Sequence, residues 1–573
     1  MRREHEKRVG MDRKWWTLIA VCTGTFMLLL DVTIVNVALP GIQASLHANF
    51  SDLQWIVDAY SLVLAALLLT TGSLGDLFGR RLLFVLGLVV FTGSSLGSGL
   101  SQSALVLNLF RGAQGVGGAA MFSTSLALLG SAFQGRERGT AFGVWGATTG
   151  LAIAIGPVVG GALTSGLSWR WIFLVNVPIG IIAVILTLAQ VEESRQPGHH
   201  RVDPIGVITF SGALGALVLA LIKSDARGWG STYIIVLLAG AAAGIVVFLV
   251  AELIQGENAM FDLGLFRKPT FTGGSIAAFG LSAGFFSLFL YITLYLQDVL
   301  GYSAFQSGLR FLVLSGGILV ISTVAGRLTA VVPVRLLIAP GLALVGVGLL
   351  LMRGVDASSG WEHLIPGLIL TGAGTGLVNP PLASTAIGVV PPARSGMASG
   401  INSTFRQVGV ATGIAGMGTL FTHTVTTQII SRLHSTAGIA SASARSLANT
   451  VAHGSGAASS LHGIPAKARP AATHAIRVGF TDGLNHVFLV GALVAFAAAV
   501  LSLVLIRGRD FEASAARSDA GAPDGRVPAQ DGPGAPDGSS GRDGDDHATH
   551  ADGDGAWNPA PGDVPAGQAS DVG

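Results

Sequence analysis

The stretch 54–100, QWIVDAYSLVLAALLLTTGSLGDLFGRRLLFVLGLVVFTGSSLGSGL, places two apolar runs, 54–71 and 82–100, on either side of the hinge Gly72-Ser-Leu-Gly-Asp76-Leu-Phe-Gly79-Arg80-Arg81. A bilayer core needs about 20 mostly apolar residues per crossing helix, so each run is long enough to span it once. Glycine permits the tight reversal between the runs, and paired arginines in a short connection mark a cytoplasmic turn. The rest of the chain agrees with this hairpin. Of its 573 residues 50% are apolar, 80 are glycine and only 12% are charged, at a mean hydropathy of +0.63. A soluble domain carries about 25% charged residues. This chain has too little polar surface to cover a water-exposed globule, which excludes a soluble enzyme and a nucleic-acid binder and makes the lipid bilayer its surroundings.

The same length criterion, applied outward from the hairpin, predicts fourteen spans and an all-α polytopic membrane protein. They are 15–39, 54–71, 82–100, 104–132, 141–163, 171–189, 204–222, 233–254, 271–296, 305–325, 336–352, 364–386, 400–422 and 485–506. With the N-terminus inside, nineteen Lys and Arg fall in inner segments, against Arg170, Lys223, Arg227 and Arg353 in short outer loops. The positive-inside rule then puts both termini in the cytoplasm of a multi-pass protein of the cell membrane. The spans group as a six-helix half (1–195), an inserted pair lying against its side (196–256) and a second six-helix half (257–506) with a long outer loop at 425–482. Transporters built from two such halves carry their substrate route between them. Residues 1–506 carry a net charge of +10 and 507–573 one of −8, and that Gly/Asp/Pro/Ala tail reads as a disordered cytoplasmic segment. The single cysteine, Cys22, excludes an internal disulfide.

Ionisable residues inside spans are few: Asp31, Asp58, Arg111, Glu252, Arg310 and Arg406. A charge there costs roughly 2.5–3.5 kcal/mol on insertion scales and faces a cavity or a partner. At 1.5 Å per residue, Asp31 lies about 12 Å below the outer boundary on span 1 and Arg111 about 10 Å below it on span 4. If they meet, the arginine favours the charged carboxylate and the apolar surroundings the neutral one, which suits a proton carrier. A static pair joining two helices is the alternative. Asp58, about 7 Å below the outer surface, serves either as a hydrated vestibule group or on the substrate or proton route. Arg406 either snorkels to the inner interface or faces a cavity with Asn402, which shares its helix face. Glu252 and Arg310 are expected to be solvated at span ends. In the hinge, Asp76 is placed to meet the positive end of a neighbouring helix. On span 5, Ala152, Gly156 and Gly160 form a small-residue ridge that lets backbones approach, next to Gly161 and to Pro157, which bends the helix. Six histidines in or beside the last outer loop have no ligand spacing, so no metal is expected.

These segments resemble the major facilitator superfamily. The hinge Gly72–Arg81 is similar to that superfamily's loop motif between helices 2 and 3. Leu107-x-x-x-Arg111-x-x-Gln114-Gly115-x-Gly117-Gly118-Ala119 is similar to its helix 4 motif, and Gly156-Pro157-Val-Val-Gly160-Gly161 to the helix 5 motif of its antiporters. Leu30-Asp31-Val-Thr-Ile-Val-Asn36-Val-Ala-Leu-Pro40 and Trp169-Arg-Trp-Ile-Phe-Leu-Val-Asn176-Val-Pro178-Ile-Gly180 resemble the fourteen-helix drug:proton antiporters, the EmrB/QacA group, and so does Asn402-Ser-Thr-Phe-Arg406-Gln407-Val-Gly409. The second copy of the loop motif is degenerate, reduced to Gly326-Arg327.

The resemblance implies proton-coupled export of small amphipathic or cationic compounds by alternating access, driven by a proton gradient without a cofactor and without requiring an oligomer. It assigns Asp31 and Arg111 to proton coupling; Asn36, Asp58, Gln114, Asn402 and Arg406 are the candidates for the substrate or proton route. Gly72, Asp76, Gly79 and Arg80 become a conformational latch, and Gly156, Pro157, Gly160 and Gly161 the antiport seam. Export of an endogenous metabolite, siderophore or lipid is the alternative within that class. The membrane subunit of an ATP-driven system is the alternative outside it, although the chain holds no G-x-x-x-x-G-K-[ST].

Overall fold

The computed structural model describes residues 12–48, 50–194, 203–255, 261–391, 394–434, 441–452 and 466–511. The long elements among them are all helices: α1 (Arg13–Leu46), α2 (Phe50–Phe78), α3 (Arg80–Leu100), α4 (Ala104–Ala132), α5 (Gly135–Gly166), α6 (Trp171–Leu174), α7 (Asn176–Gln190), α8 (Pro204–Arg227), α9 (Thr232–Gln255), α10 (Pro269–Leu294), α11 (Ala304–Leu328), α12 (Arg335–Leu351), α13 (Ile365–Gly388), α14 (Ser395–His434), α15 (Ser441–Ala452) and α16 (Arg469–Leu505). Apolar solvent leaves no other way to satisfy the backbone within one segment. Among the described residues ten helices are long and apolar enough to cross a membrane, or eleven if the bent halves of α5 count as one span.

Local chemistry sets where the helices start and bend. Ser103 caps α4 by accepting the Val106 N–H (3.4 Å), and Asp203 caps α8 through the Gly206 N–H (2.8 Å), with Pro204 at its first position. Ser303 and Gln306 form a reciprocal capping box on α11. The two parts of α5, Glu137–Ile153 and Ile155–Gly166, meet at 41°. Pro157 is the cause: it has no N–H for the Ile153 carbonyl, and its ring crowds that carbonyl.

Among the first helices, α2 and α3 pack on α4 and α1 packs on α5 and α7; among the later ones, α11 and α12 pack on α13, and α10, α14 and α16 on one another. The two sets meet along α5 with α11 and along α2 with α14. Gly72 lies so close to α14 that a Cβ there would fall 2.5 Å from Gly396 O, and a Cβ at Gly400 would fall 2.9 Å from Leu68 O. The other crossing repeats this pattern, with Gly139 against Gly326 and Gly143 against Ser322 O (2.9 Å). Helix α8 lies on α2 and α14 together: Leu214 and Val218 pack with Ala65, Val408 and Ala411, and α9 packs on α8.

Two expectations are corrected. Residues 425–482 are not an irregular outer loop where they are described. Helix α14 continues to His434 and α16 begins at Arg469, and their extensions bury Val425, Ile429, Leu433, Ile476 and Phe480 together with Leu447 of α15. Glycines make this contact possible, since a Cβ at Gly479 would lie 3.0 Å from Ile429 Cγ1 and one at Gly483 2.8 Å from Phe421 Cδ2. The tail also begins later than residue 507. Asp510 Oδ2 accepts the Thr270 N–H (3.2 Å) and hydroxyl (2.7 Å), capping α10. Its remainder lies outside the described residues.

Candidate functional site

Polar groups of α2, α3, α4 and α7 converge on Asp31 of α1 and its partners; Asp31 is fully buried, as is Arg111. Arg111 Nη1 donates to Asp31 Oδ2 (2.5 Å) and to Gln114 Oε1 (2.7 Å), and its Nε donates to the Ile56 carbonyl of α2 (2.9 Å). Gln114 Nε2 donates to Asp31 Oδ1 (3.0 Å) and Ser95 Oγ (3.2 Å); Asn176 Nδ2 reaches the same two atoms at 3.4 and 3.1 Å. The guanidinium lies 4.4 Å from the Tyr60 ring centroid, an attraction that strengthens where water is excluded. Both oxygens of the carboxylate are engaged as acceptors. Taking a proton removes the charge that strengthens these bonds and leaves a weaker acceptor, which loosens contacts among α1, α4 and α7 together. The equal depth expected of Asp31 and Arg111 is thus realised as contact, with Gln114 joining it. Ser95 was not singled out from sequence, and Asn176 was quoted only as a motif residue without a role; it begins α7 just after the break at Val175.

The hinge forms a second site. Asp76 Oδ1 accepts from Arg80 Nε (2.8 Å) and Nη2 (2.6 Å) and from the Gly396 N–H (2.9 Å), and its Oδ2 accepts the Met397 N–H (2.8 Å). Asp76 therefore caps the N-terminus of α14, where unpaired amides and the helix dipole favour a carboxylate. Gly79 holds φ +121°, where side chains are strained, and a Cβ there would fall 2.7 Å from Glu193 Cδ. Glu193 in turn accepts the N–H groups of Arg81 and Leu82 (3.1 Å each), capping α3. Nothing in the sequence around Glu193 marked it.

The small-residue ridge on α5 faces α1: a Cβ at Gly156 would strike the Thr33 side chain, and one at Gly160 would lie 2.9 Å from Ile34 Cγ1. A Cβ at Gly161 would instead lie 3.8 Å from Phe305 N of α11, and one at Gly308 of α11 would lie 3.2 Å from Val158 N and 3.5 Å from Pro157 Cβ.

Asp58 is buried and accepts from Lys223 Nζ (3.0 Å), which also donates to Gln54 Oε1 (3.0 Å) and lies 4.7 Å from the Trp55 ring centroid. Asp58 is thus not a hydrated vestibule group. Lys223, counted from sequence as an outer-loop charge, is a buried residue of α8 tied to α2; the unbroken helix through Arg227 is what sequence reading missed. Glu252 is likewise buried rather than solvated, and its Oε2 accepts the Phe261 N–H (3.2 Å). Arg310 stays at the edge, its guanidinium 3.5 Å from the Tyr302 ring centroid. Arg406 does not reach the interface: its Nε donates to Asn402 Oδ1 (3.2 Å) and its Nη1 to Asn379 Oδ1 (3.0 Å). The side chain of Asn36 lies outside the described residues.

Residues 21–414 match the family model described as Major Facilitator Superfamily. The chain is 39% identical over 408 residues to the multidrug resistance protein Stp of Mycobacterium tuberculosis (strain CDC 1551 / Oshkosh), covering 70% of this chain and 75% of the relative. It is 35% identical over 416 residues to the puromycin resistance protein pur8 of Streptomyces alboniger, covering 72% and 82%. Its fold is similar to the crystal structure of the human organic anion transporter MFSD10 (TETRAN), with a TM-score of 0.53 at 16% identity, over 84% of this chain and 99% of that one.

Proposed function

Because the chain belongs to the Major Facilitator Superfamily, we propose that it is a proton-coupled exporter of small amphipathic organic compounds, acting by alternating access between two six-helix halves. The observation that carries this reading is the Asp31–Arg111 pair, buried where five helical segments converge. Its relatives' names, multidrug resistance and puromycin resistance, support a drug-like cargo.

In this reading Asp31 takes a proton from the outer side, and Arg111 and Gln114 are released to other partners. The helices that met at the carboxylate shift, and the two halves rock about their contacts, α5 with α11 and α2 with α14. Asp76, fixed by Arg80 and seated through Gly72 and Gly79, clamps the cytoplasmic ends while the route opens outward. Its release opens the inner side. Gly156, Pro157 and Gly160 let α1 and α5 move as one unit, and Gly161 meets α11. All fourteen helices that match the expected spans cross the bilayer, with both termini in the cytoplasm. The repeated crossing pattern of the glycine pairs supports the division into two halves, and the position of α8 against both supports an inserted pair outside the central route.

Everted vesicles containing the protein test this directly. A fluorescent drug such as ethidium should accumulate when a pH gradient, acidic inside, is imposed without ATP, and a protonophore should abolish the accumulation. Uptake that follows ATP and ignores the gradient would replace this reading with the membrane subunit of an ATP-driven pump.

A further inference from the structure

Two cations buried among the described spans meet a carboxylate. Arg111 has Asp31 and Lys223 has Asp58. Arg406 has no carboxylate within 4 Å among the described residues: its Nε and Nη1 are spent on two neutral asparagine oxygens, and its Nη2 is buried with no partner. Arginine stays protonated in proteins, so this is a standing positive charge in a low-dielectric layer, where an unpaired ion is costly.

Its position says what it faces. Gly396 and Gly400 of α14 meet α2, and Gly409 meets α10, where a Cβ would lie 2.5 Å from Phe279 O. Six residues after Gly400, at 100° per residue, Arg406 points about 240° round the helix from the α2 contact, away from α8. There its guanidinium reaches Asn379 of α13. On the far side of Asn379 stands α5, close enough that a Cβ at Gly146 would lie 3.5 Å from Asn379 Cβ. The guanidinium therefore lies toward the line where the first helices meet the last. Helices α4, α10, α13 and α14 contain no Asp or Glu, and α5 has only Glu137 in its first turn, bonded to Lys14. None of these helices brings a carboxylate to Arg406.

We propose that Arg406, held by Asn379 and Asn402, is an anion-accepting subsite that takes the carboxylate or sulfonate end of an amphipathic organic acid. This assignment rests on the exporter reading and names a substrate class for it. Both asparagine oxygens orient the guanidinium and leave Nη2 for the incoming anion, which gains a charge-assisted hydrogen bond in place of water.

The test uses the full chain in nanodiscs without any gradient, with two xanthene dyes of similar shape and opposite charge, fluorescein and rhodamine 123, whose carboxyl group is blocked as a methyl ester, followed by fluorescence anisotropy. The ratio of fluorescein to rhodamine affinity should fall about tenfold or more in Arg406→Met, the size of one charge-assisted contact, and stay within about threefold of wild type in Arg406→Lys. Chloride at equal ionic strength should not displace fluorescein. Arg406→Met should melt no lower than wild type, because it removes a cation with no carboxylate partner among the described residues. An unchanged affinity ratio, displacement by chloride, or a marked loss of thermal stability in Arg406→Met would each overturn the proposal. Arg406-dependent fluorescein binding in a protein that fails to export under a pH gradient would instead count against the exporter reading and leave the subsite standing.

Discussion

Where α2 crosses α14, Gly72 and Leu68 lie against Gly396 and Gly400; where α11 crosses α5, Gly326 and Ser322 lie against Gly139 and Gly143. Both crossings use contacts four residues apart on each helix, and both depend on glycine to let two backbones touch. They differ in the residue one turn beyond the glycine. Four residues after Gly72 stands Asp76, whose carboxylate receives two amides of α14 and the Arg80 side chain. Four residues after Gly326 stands Ala330, and α5 begins at Gly135 with Gln134 before it giving no side-chain cap. The first crossing is also overlaid by α8, and the second by α13, which packs on both α5 and α11. Among the described residues no side-chain hydrogen bond joins α5 to α11, whereas the first crossing adds a carboxylate bonded to the α14 amides. The same plan thus yields one contact suited to act as a pivot and one suited to act as a switch.

The largest expected effect of altering this comparison comes from Asp76→Asn. The variant keeps one acceptor but loses the charge, and hydrogen bonds to charged groups contribute about 1.5–3 kcal/mol. Turnover in proteoliposomes should fall by about tenfold or more, with membrane yield and drug affinity close to wild type. Wild-type turnover would remove the switch from the first crossing.

Gly326→Ala tests the pivot. Its Cβ would meet Gly139 O and approach Gly143 Cα to 2.8 Å, backbone atoms that cannot turn aside. Overpacking of this kind costs about 1–3 kcal/mol, so thermal stability should drop, whereas Gly316→Ala on the same helix, with nothing within 4 Å, should not lower it. Equal melting temperatures would show the second crossing to be looser than described.

Ala330→Asp gives the second crossing a carboxylate near the start of α5. Such a charge near a helix N-terminus is worth about 0.3–1 kcal/mol, so turnover should slow by roughly two- to fivefold through over-stabilising the closed cytoplasmic side. Faster turnover would mean that the added charge does not act as a clamp there.

How much of this was legible in the sequence depends on the physics of each signal. Apolar runs place the helices, because spanning a bilayer demands length and hydropathy; α4 matches its expected bounds, and most others extend a few residues beyond theirs. Depth arithmetic brings Asp31 and Arg111 together because both lie on straight helices of known rise. It says nothing of rotation about the helix axis, so the partners Ser95 and Asn176 were missed, and Asn379, an isolated polar residue before Pro380-Pro381, drew no attention. Lys223 was read as a loop charge because hydropathy ends the span at the first cation, although a lysine can stay in the helix when a carboxylate such as Asp58 meets it. The outer ends of α14 and α16 were hidden for the opposite reason: rich in Thr, Ser, His and Ala, they look like a loop, yet they pack through glycines that only the structure brings into register.

The central claim is that Asp31 exchanges a proton for the exported compound. Purified Asp31→Asn protein, reconstituted in wild-type amounts with the Arg111 side chain unaltered, should be loaded into proteoliposomes under an imposed pH gradient, and uphill transport of a fluorescent drug compared with its downhill exchange. The expected result is loss of uphill transport with downhill exchange retained, because the amide cannot carry the proton while the helices can still move. Uphill transport at the wild-type rate would contradict the claim and leave the Asp31–Arg111 pair as a structural tie between α1 and α4.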